Sequence, residues 1–525
     1  MKNLILQICG LLFTINLLAQ SHQPIINIKR TNETIKLDGI LEERIWQSAM
    51  PAKDFIQHFP TDSLPATGTT EIYMTYDDKN LYVGIVCTST GENWITNSLK
   101  RDGGFRGNDN ITLLFDTFND VTNAYVFGIN AYGVRREAIV SNGGKNFPDF
   151  SDAWDNKWYG DAKINGNSWS AELAIPFKTL RFKEGVQSWR FQSYRNDTQS
   201  NEFTSWAQIP INFLLMDLSC MGKIVWDEPL SNSGKNISLI PYVASSITRN
   251  FEDDTETEPQ TDFNFGGDAK IGITSGLNLD LTFNPDFSQV EVDQQVTNLD
   301  RFEIFFPERR QFFLENADLF SGFGGRRSNP FFSRRIGITQ DTATGTNIQN
   351  TILYGARLSG KINERLRVGV LNMQTAKQVE NDLPSFNFTV ATMEQQIFSR
   401  SNLAFIFVNK QAINASDFGD TFNKFNRTIG AEYRLASADN VWSGKTTFHK
   451  VFSPLDKQQK FTHLTQIVHT QRRYRLEWAH LLIGDGYDAE VGFVPRRDIL
   501  LLSPEGEIRF YPSDSKVSDL SLIHI

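Results

Sequence analysis

The stretch from residue 277 to residue 284 alternates strictly between apolar and polar side chains. Every odd-numbered position in it is leucine or phenylalanine, and every even-numbered position is asparagine, aspartate or threonine. Successive side chains of a β-strand point to opposite faces, so the stretch predicts a strand with one apolar and one polar face. Similar segments recur through the C-terminal half of the chain. Transmembrane barrels use such strands, roughly ten residues long, with one face toward lipid and the other toward the lumen.

The C-terminal half therefore predicts an antiparallel β-barrel of the outer-membrane type. Eleven strand-like segments lie between residues 236 and 480, and two more are expected at residues 506–511 and 517–525. The last segment ends without the terminal aromatic residue that is common in barrels of this kind. We expect a barrel that is incomplete at its C-terminus, with the first and last strands unpaired.

The first residues carry an export signal. Lys2 gives a short basic start, residues 4–18 form an apolar run, and Ala19 is a small residue at the predicted cleavage point. A spanning helix needs roughly 20 apolar residues, and no later stretch of the chain offers them. The sequence predicts an exported protein of the outer membrane, with residues 1–19 as its signal peptide.

The composition fits an envelope protein. The chain has 52 basic and 61 acidic residues, a net charge of −9, which disfavours nucleic acid as a partner. Phe, Tyr and Trp make up 12% of the residues, and these side chains form the interfacial girdles of membrane barrels. Removal of the signal peptide leaves Cys87 and Cys220, both in apolar surroundings, which predicts buried free thiols rather than a disulfide.

The N-terminal half has the pattern of a globular β-sandwich. Short strand-like runs alternate there with turns rich in Asp, Asn and Gly. These runs cover residues 71–76, 81–87, 110–116, 124–130, 168–175 and 188–195. A polar, turn-rich joint follows. The predicted domains are a sandwich at 24–227, a linker at 228–235, and a barrel at 236–525 with an inward loop at 285–337.

Two groups of motifs resemble known families. LDGILEERIW at residues 37–46, DDKNLYV at 77–83 and WSAELAIPF at 169–177 resemble the family 9 carbohydrate-binding modules. NPDFSQVEVD at residues 284–293 and FPERRQFFLE at 306–315 resemble the outer-membrane barrels of the domain of unknown function 5916. The first resemblance implies a fold that binds saccharide ends and structural calcium. Together they imply a sugar-binding-like sandwich joined to a barrel of unproven activity.

Sugar sites combine an aromatic face with planar hydrogen-bonding groups, and the loops of the first domain offer both. Trp154 has polar neighbours, which predicts that it is exposed; the alternative is that it packs at an edge or an interface. The candidate ligand-binding residues are Trp154, Arg101, Asp102, Asn130 and Trp158. The expected partners are a saccharide or polysaccharide and outer-membrane lipid.

Carboxylates suggest two further roles. Calcium is the candidate cofactor, because Asp77, Asp78, Asp109 and Asp116 supply the oxygen ligands it accepts; turn capping is the alternative for the first two. A glycoside hydrolase needs two carboxylates roughly 5 to 9 Å apart, which the acidic residues between 286 and 318 could supply. The alternative is an ion-paired loop that narrows the lumen. Three functions stay open. The first is a cell-envelope carbohydrate-binding protein displayed on an outer-membrane barrel, in polysaccharide binding or catabolism. The others are a glycoside hydrolase that acts on O-glycosyl bonds and a structural envelope protein without a ligand.

Overall fold

A computed structural model gives the arrangement of most of the chain. It describes residues 23–104, 107–152, 154–231, 237–249, 259–285, 297, 301–340, 347–379, 381–419, 422–510 and 520–524. The predicted signal peptide, residues 1–19, lies outside the described residues, as do the acidic candidates Asp286, Glu291 and Asp293. The fold is all-β, with an N-terminal sandwich followed by a curled antiparallel sheet.

The N-terminal half is a sandwich of short strands with one short helix. Its strands are β1 Ile25–Arg30, β2 Ile56–Phe59, β3 Thr70–Tyr76, β4 Asn80–Thr88, β5 Asn110–Asp116, β6 Ala124–Asn130, β7 Arg135–Val140, β8 Phe150–Ser151, β9 Tyr159–Asn165, β10 Ser168–Pro176, β11 Val186–Asp197, β12 Glu202–Ser205 and β13 Gly222–Leu230. Helix α1 is Arg44–Ser48. All six strands expected from the sequence are present. Strand β13 continues to Leu230, inside the predicted linker.

Strand β1 joins the two layers of the sandwich. Its first part, Ile25 to Ile28, pairs with β13, in the sheet ordered β8-β7-β6-β5-β11-β13. Its last residues, Lys29 and Arg30, pair with β3, in the sheet ordered β3-β4-β10-β9. Between the layers lies an aromatic core in which the rings of Trp189 and Trp226 meet edge to face, with centroids 4.9 Å apart.

The residues that resemble the carbohydrate-binding modules converge on one buried carboxylate, Glu172 of β10. The backbone N–H groups of Asp38 and Gly39 donate to one of its oxygens, each at 3.1 Å. The indole N–H of Trp46 donates to the other oxygen at 2.9 Å. Gly39 has φ +78°, and a Cβ there would lie 2.8 Å from the backbone of Ala162. This motif therefore fixes the N-terminal loop to the sheet rather than presenting a ligand site.

Within the described residues, the C-terminal half forms one antiparallel sheet of thirteen strands, the number of segments expected from the sequence. Its strands are β14 Ile237–Thr248, β15 Gln260–Gly272, β16 Leu277–Phe283, β19 Ile352–Lys361, β20 Leu366–Thr375, β21 Ser385–Ile397, β22 Ser401–Ile413, β23 Phe425–Ala436, β24 Trp442–Phe452, β25 Phe461–Thr470, β26 Tyr474–Ile483, β27 Ile499–Phe510 and β28 Leu520–His524. The connection before β19 holds helices α2 Gln311–Leu314 and α3 Asp318–Ser321, and a hairpin of β17 Ile338–Gln340 and β18 Asn347–Gln349.

The two faces of β16 are confirmed. Asn278 and Asp280 are 3% and 1% exposed, whereas Leu281 and Phe283, on the other face, are 37% and 55% exposed. Neighbouring strands in the sheet continue the pattern, so the outer surface is apolar over many strands. Among the described residues no helix is both long and apolar enough to cross a bilayer.

The sheet is open between its first and last strands within the described residues. There β14 pairs only with β15, and β28 pairs only with β27. The expectation of unpaired first and last strands therefore holds for the part of the chain that the structure describes.

A stretch that we call the lumen segment, residues 301–336, occupies the interior of the curled sheet. Its phenylalanines, Phe312 and Phe320 among them, form a buried cluster with inward-facing Leu371, Val390 and Ile406. An added Cβ at Gly369 would lie 2.7 Å from the ring of Phe320, which shows how closely helix α3 approaches the sheet. The interior of the sheet is therefore packed along this segment.

The sandwich rests on one end of the curled sheet. Lys361 pairs with Asp120 of the sandwich, and Glu364 lies 3.2 Å from Lys183. At the same end, other turns bring Asn440 within 3.0 Å of Ser219 and Arg472 within 2.7 Å of Asp62. The contacts from the sheet all come from the hairpin connections or strand ends at this end.

Candidate functional site

A cavity of about 550 Å³ lies between the sandwich and the end of the curled sheet. Small-molecule sites commonly have volumes of this order and combine apolar walls with a few polar groups. Trp154, Asn156 and Tyr159 contribute to the sandwich wall, and Asn278 and Asn316 contribute to the opposite wall. The cavity therefore offers aromatic surface on one side and amide groups on both sides.

Trp154 is the aromatic residue of the predicted set that lines this cavity. The expectation that it is exposed is wrong, because its side chain is only 7% exposed. Its ring lies 5.2 Å from that of Tyr125 and 6.0 Å, edge to face, from that of Phe127. Strand β6 supplies these partners, so the polar residues beside Trp154 in sequence do not determine its burial.

Three other candidate ligand-binding residues, Arg101, Asp102 and Trp158, contact Glu137 of β7. Glu137 was not among the residues that the sequence singled out. The Arg101 guanidinium pairs with Glu137, and the Trp158 indole N–H donates to it at 3.0 Å. Asp102 accepts from the backbone N–H of Glu137 at 3.2 Å. Arg101 also donates to the carbonyl of Asn156 at 3.0 Å. The cluster thus holds the loop after β8 against the sheet.

The cluster is a partly buried ion pair, with the Glu137 side chain buried and the Arg101 side chain 40% exposed. Burial raises the pKa of Glu137 to about 7, while the Arg101 guanidinium and the Trp158 indole act in the opposite direction. Burial also raises the pKa of Asp102. Since Glu137 is 0% exposed, no ligand reaches it. Its function is to position the loop that carries Trp154 and Asn156 to the cavity wall.

Asn130 lies apart from the cavity and caps the turn between β6 and β7. Its side-chain oxygen accepts from the backbone N–H groups of Tyr132 at 3.0 Å and Val134 at 2.9 Å. Its amide donates to the hydroxyl of Thr96 at 3.0 Å. Both of its side-chain polar atoms therefore have partners, the oxygen in this turn and the amide in the loop that carries Thr96.

The opposite wall is built around Glu315 of the lumen segment. Its carboxylate lies 3.6 Å from Lys270 and 3.5 Å from Arg181 of the sandwich, and accepts from the Asn278 amide at 2.6 Å. A shared ion cluster therefore links the sandwich, the sheet and the lumen segment at the cavity.

Sequence reasoning did not find most of the residues that line the cavity. Lys157, Tyr159, Arg181, Lys270 and Arg367 line the cavity but belong to five separate elements or loops. No local pattern marks them as a group, because they meet only when the sandwich docks on the sheet. Glu315 and Asp318 were among the acidic candidates.

The aspartates considered for calcium serve as hydrogen-bond acceptors within the sandwich. Asp77 accepts from the backbone N–H groups of Lys79 and Asn80, each at 2.7 Å, which confirms the turn-capping interpretation. Asp116 accepts from those of Phe118 and Val121. In the described part of the chain, no group of three or more His, Cys, Asp or Glu side chains is arranged to hold a metal ion.

Comparison with known proteins gives one family match. The family described as "Domain of unknown function (DUF5916)" matches residues 235–521. A search among proteins of curated function finds no match.

Three solved structures are distantly similar to parts of the chain. A family 9 carbohydrate-binding module from Caldicellulosiruptor kristjanssonii, solved with cellotriose, is 13% identical, covering 40% of this chain and 97% of that chain, with a TM-score of 0.29. OccK11 of Pseudomonas aeruginosa is 8% identical, covering 82% and 92%, with a TM-score of 0.27. OccAB2 of Acinetobacter baumannii is 8% identical, covering 79% and 89%, with a TM-score of 0.22.

Proposed function

The chain belongs to the family of the domain of unknown function 5916, and from that premise we propose that it is an outer-membrane protein that binds a saccharide. The binding site is the cavity between the sandwich and the curled sheet, and that cavity is the observation on which the proposal depends. Its aromatic wall suits the apolar face of a sugar ring, and its amides suit the hydroxyl groups. The motifs that resemble carbohydrate-binding modules support the same ligand class.

The outer surface of the sheet supports a membrane location. In β22, Leu403, Phe405 and Phe407 are 37%, 43% and 36% exposed on one face, while Ala404 and Ile406 on the other face are buried. Soluble monomers rarely expose a continuous apolar surface of this kind, whereas lipid accommodates it. Strands of ten to thirteen residues from β19 to β27 are long enough to cross a bilayer when tilted.

The sandwich covers the end of the barrel that carries the short connections. Five connections there, at residues 273–276, 362–365, 398–400, 437–441 and 471–473, have three to five residues. At the other end the shortest connection is 453–460, and the connection between β16 and β19 is the longest. Bacterial barrels have short turns on the periplasmic side and longer loops outside. On this proposal the sandwich faces the periplasm.

Cysteine labelling tests this orientation. The background variant carries Cys220→Ser, which removes the half-buried thiol. Ser416→Cys then places a cysteine in a long loop, and Ala438→Cys places one in a short turn. We expect a membrane-impermeant maleimide to label Ser416→Cys on intact cells and Ala438→Cys only after the outer membrane is permeabilised. The reverse pattern would place the sandwich outside the cell.

The cavity favours binding over hydrolysis. The general acid of a glycosidase must carry a proton, and neighbouring cations oppose protonation. Both carboxylates that the lumen segment brings to the cavity have such neighbours: Glu315 lies beside Arg181 and Lys270, and Asp318 lies 2.7 Å from Arg367. A ligand-free structural role is distinguished by the absence of any saccharide binding.

Trp154→Ala tests the cavity directly. We expect it to weaken saccharide binding to the full-length protein in detergent by about 1–3 kcal/mol, because the indole forms part of the aromatic wall. Calorimetric titration with the saccharides that bind the native protein measures the change.

Trp206→Ala is the matched control for Trp154→Ala. Trp206 is 6% exposed in the same core but does not line the cavity, so its loss costs comparable packing without changing the wall. Equal losses of affinity in the two variants would show that Trp154 acts only through the fold.

A further inference from the structure

The charged side chains around the cavity are mostly cationic. The sandwich contributes Lys157, Lys178 and Arg181 to its lining, and the curled sheet contributes Lys270, Lys361 and Arg367. The lining contains three acidic side chains, Asp155, Glu315 and Asp318. We propose that the cavity selects a saccharide that carries an anionic group; this inference rests on the proposed saccharide-binding function and names its ligand class.

Part of the cationic excess is neutralised at the edges of the cavity. Lys361 pairs with Asp120, and Arg367 lies between Asp318 and Glu394, at 2.7 Å and 3.6 Å. These two cations hold the sandwich and the lumen segment in place. Arg181, Lys270 and Lys157 carry the argument for an anionic ligand.

Arg181 and Lys270 share the single carboxylate of Glu315. Arg181 approaches it from the sandwich and Lys270 from β15, at 3.5 Å and 3.6 Å. Their side chains are still 23% and 26% exposed, so each keeps surface open to the cavity. Two cations beside one carboxylate leave one positive charge to be balanced. A carboxylate or sulfate on a sugar would balance it and accept charge-assisted hydrogen bonds from both.

Lys157 extends this positive surface toward solvent. Its ammonium group lies 5.8 Å from the centre of the Tyr159 ring, beside Trp154 in the cavity wall. An incoming anionic saccharide therefore meets a cation and an aromatic face together. A neutral sugar would use the aromatic face. It would leave unbalanced the one positive charge of Arg181 and Lys270 that Glu315 does not neutralise, which is costly in a partly buried site.

Paired saccharide probes test the inference on the full-length protein in detergent. The first arm consists of oligosaccharides of galacturonate, of glucuronate and of mannuronate. The second arm consists of the neutral counterpart of each, made by reducing its carboxyl groups. Sulfated oligosaccharides form the third arm. We expect at least one anionic probe to bind about tenfold more tightly than its neutral counterpart, the effect of about one charge-assisted hydrogen bond. Preference for the uronate or the sulfated arm identifies the anionic group.

Variants that each remove one positive charge show which side chains give the preference for the anionic probe. Arg181→Gln should remove most of the preference for the anionic probe, and Lys157→Gln, at an exposed position that does not threaten folding, should reduce it. The matched control is Lys183→Gln, which removes a cation from the same junction outside the cavity lining. A preference unchanged in both Arg181→Gln and Lys157→Gln would overturn the site.

The outcomes separate the two proposals. Equal or tighter binding of the neutral probes would overturn the anionic selectivity while leaving saccharide binding in place. No binding of any probe, neutral or anionic, would instead overturn the proposed function itself.

Discussion

Replacing Arg367 with methionine is expected to release the lumen segment from the wall of the barrel. Arg367 is 5% exposed and lies 2.7 Å from Asp318 of helix α3, so its loss leaves a buried carboxylate without its cation. Breaking a buried ion pair in this way costs about 3–5 kcal/mol. We expect a lower unfolding midpoint and a larger single-channel conductance in planar bilayers, since the segment now occupies the interior.

The control for Arg367→Met removes both charges. Combining it with Asp318→Leu replaces the pair by apolar side chains of similar size, a change that is often neutral or stabilising. The double variant should therefore recover much of the stability and the low conductance. Native-like conductance and stability in Arg367→Met alone would show that the pair does not hold the segment.

Replacing Glu172 with leucine is expected to have an effect of similar size on the sandwich. The backbone N–H of Gly39 and the indole N–H of Trp46 are buried and donate to this carboxylate. Each buried donor left unsatisfied costs about 1–3 kcal/mol, so the two together should cost about 2–6 kcal/mol. Thermal unfolding followed by tryptophan fluorescence of the full-length protein measures the loss.

The same carboxylate makes stability depend on pH. Burial raises the pKa of Glu172 to about 7, above the ordinary value of 4.5 for a glutamate. Between these two pH values Glu172 is ionised in the unfolded chain but still protonated in the folded chain. The free energy of unfolding therefore falls as pH rises from about 5 to about 7. Glu172→Gln cannot ionise, and its unfolding midpoint should therefore fall less than that of the native protein over this range. Identical pH profiles would contradict the assignment.

Much of the fold could be predicted because its signals are local. The alternation in β16 depends only on neighbouring residues, and the structure places Asn278 and Asp280 inside and Phe283 outside, as expected. Short strand-like runs between turns indicated the six sandwich strands, and amphipathic segments indicated the strands of the curled sheet. Strand ends were less predictable: β27 begins at Ile499, well before the expected residue 506, because an apolar run there lacks alternation.

The site could not be predicted to the same extent because its walls meet only in three dimensions. Trp154 has polar neighbours in sequence, but it is buried by Tyr125 and Phe127 of a separate strand. Arg101 and Trp158, two of the candidate ligand-binding residues, do lie together, but their shared partner is Glu137, which lies in a strand that the sequence pattern did not indicate. Arg181 and Lys270 come together only through Glu315 of the lumen segment.

The position of the lumen segment in the chain also bears on the order of assembly. Its apolar side chains, such as Phe320, have their packing partners on strands that are synthesised after it, including Val390 of β21 and Ile406 of β22. The later strands therefore curl around a segment that precedes them in the chain. On the proposed outer-membrane location, insertion of the sheet and filling of its interior are therefore coupled, because the sheet cannot complete its inner packing without this segment.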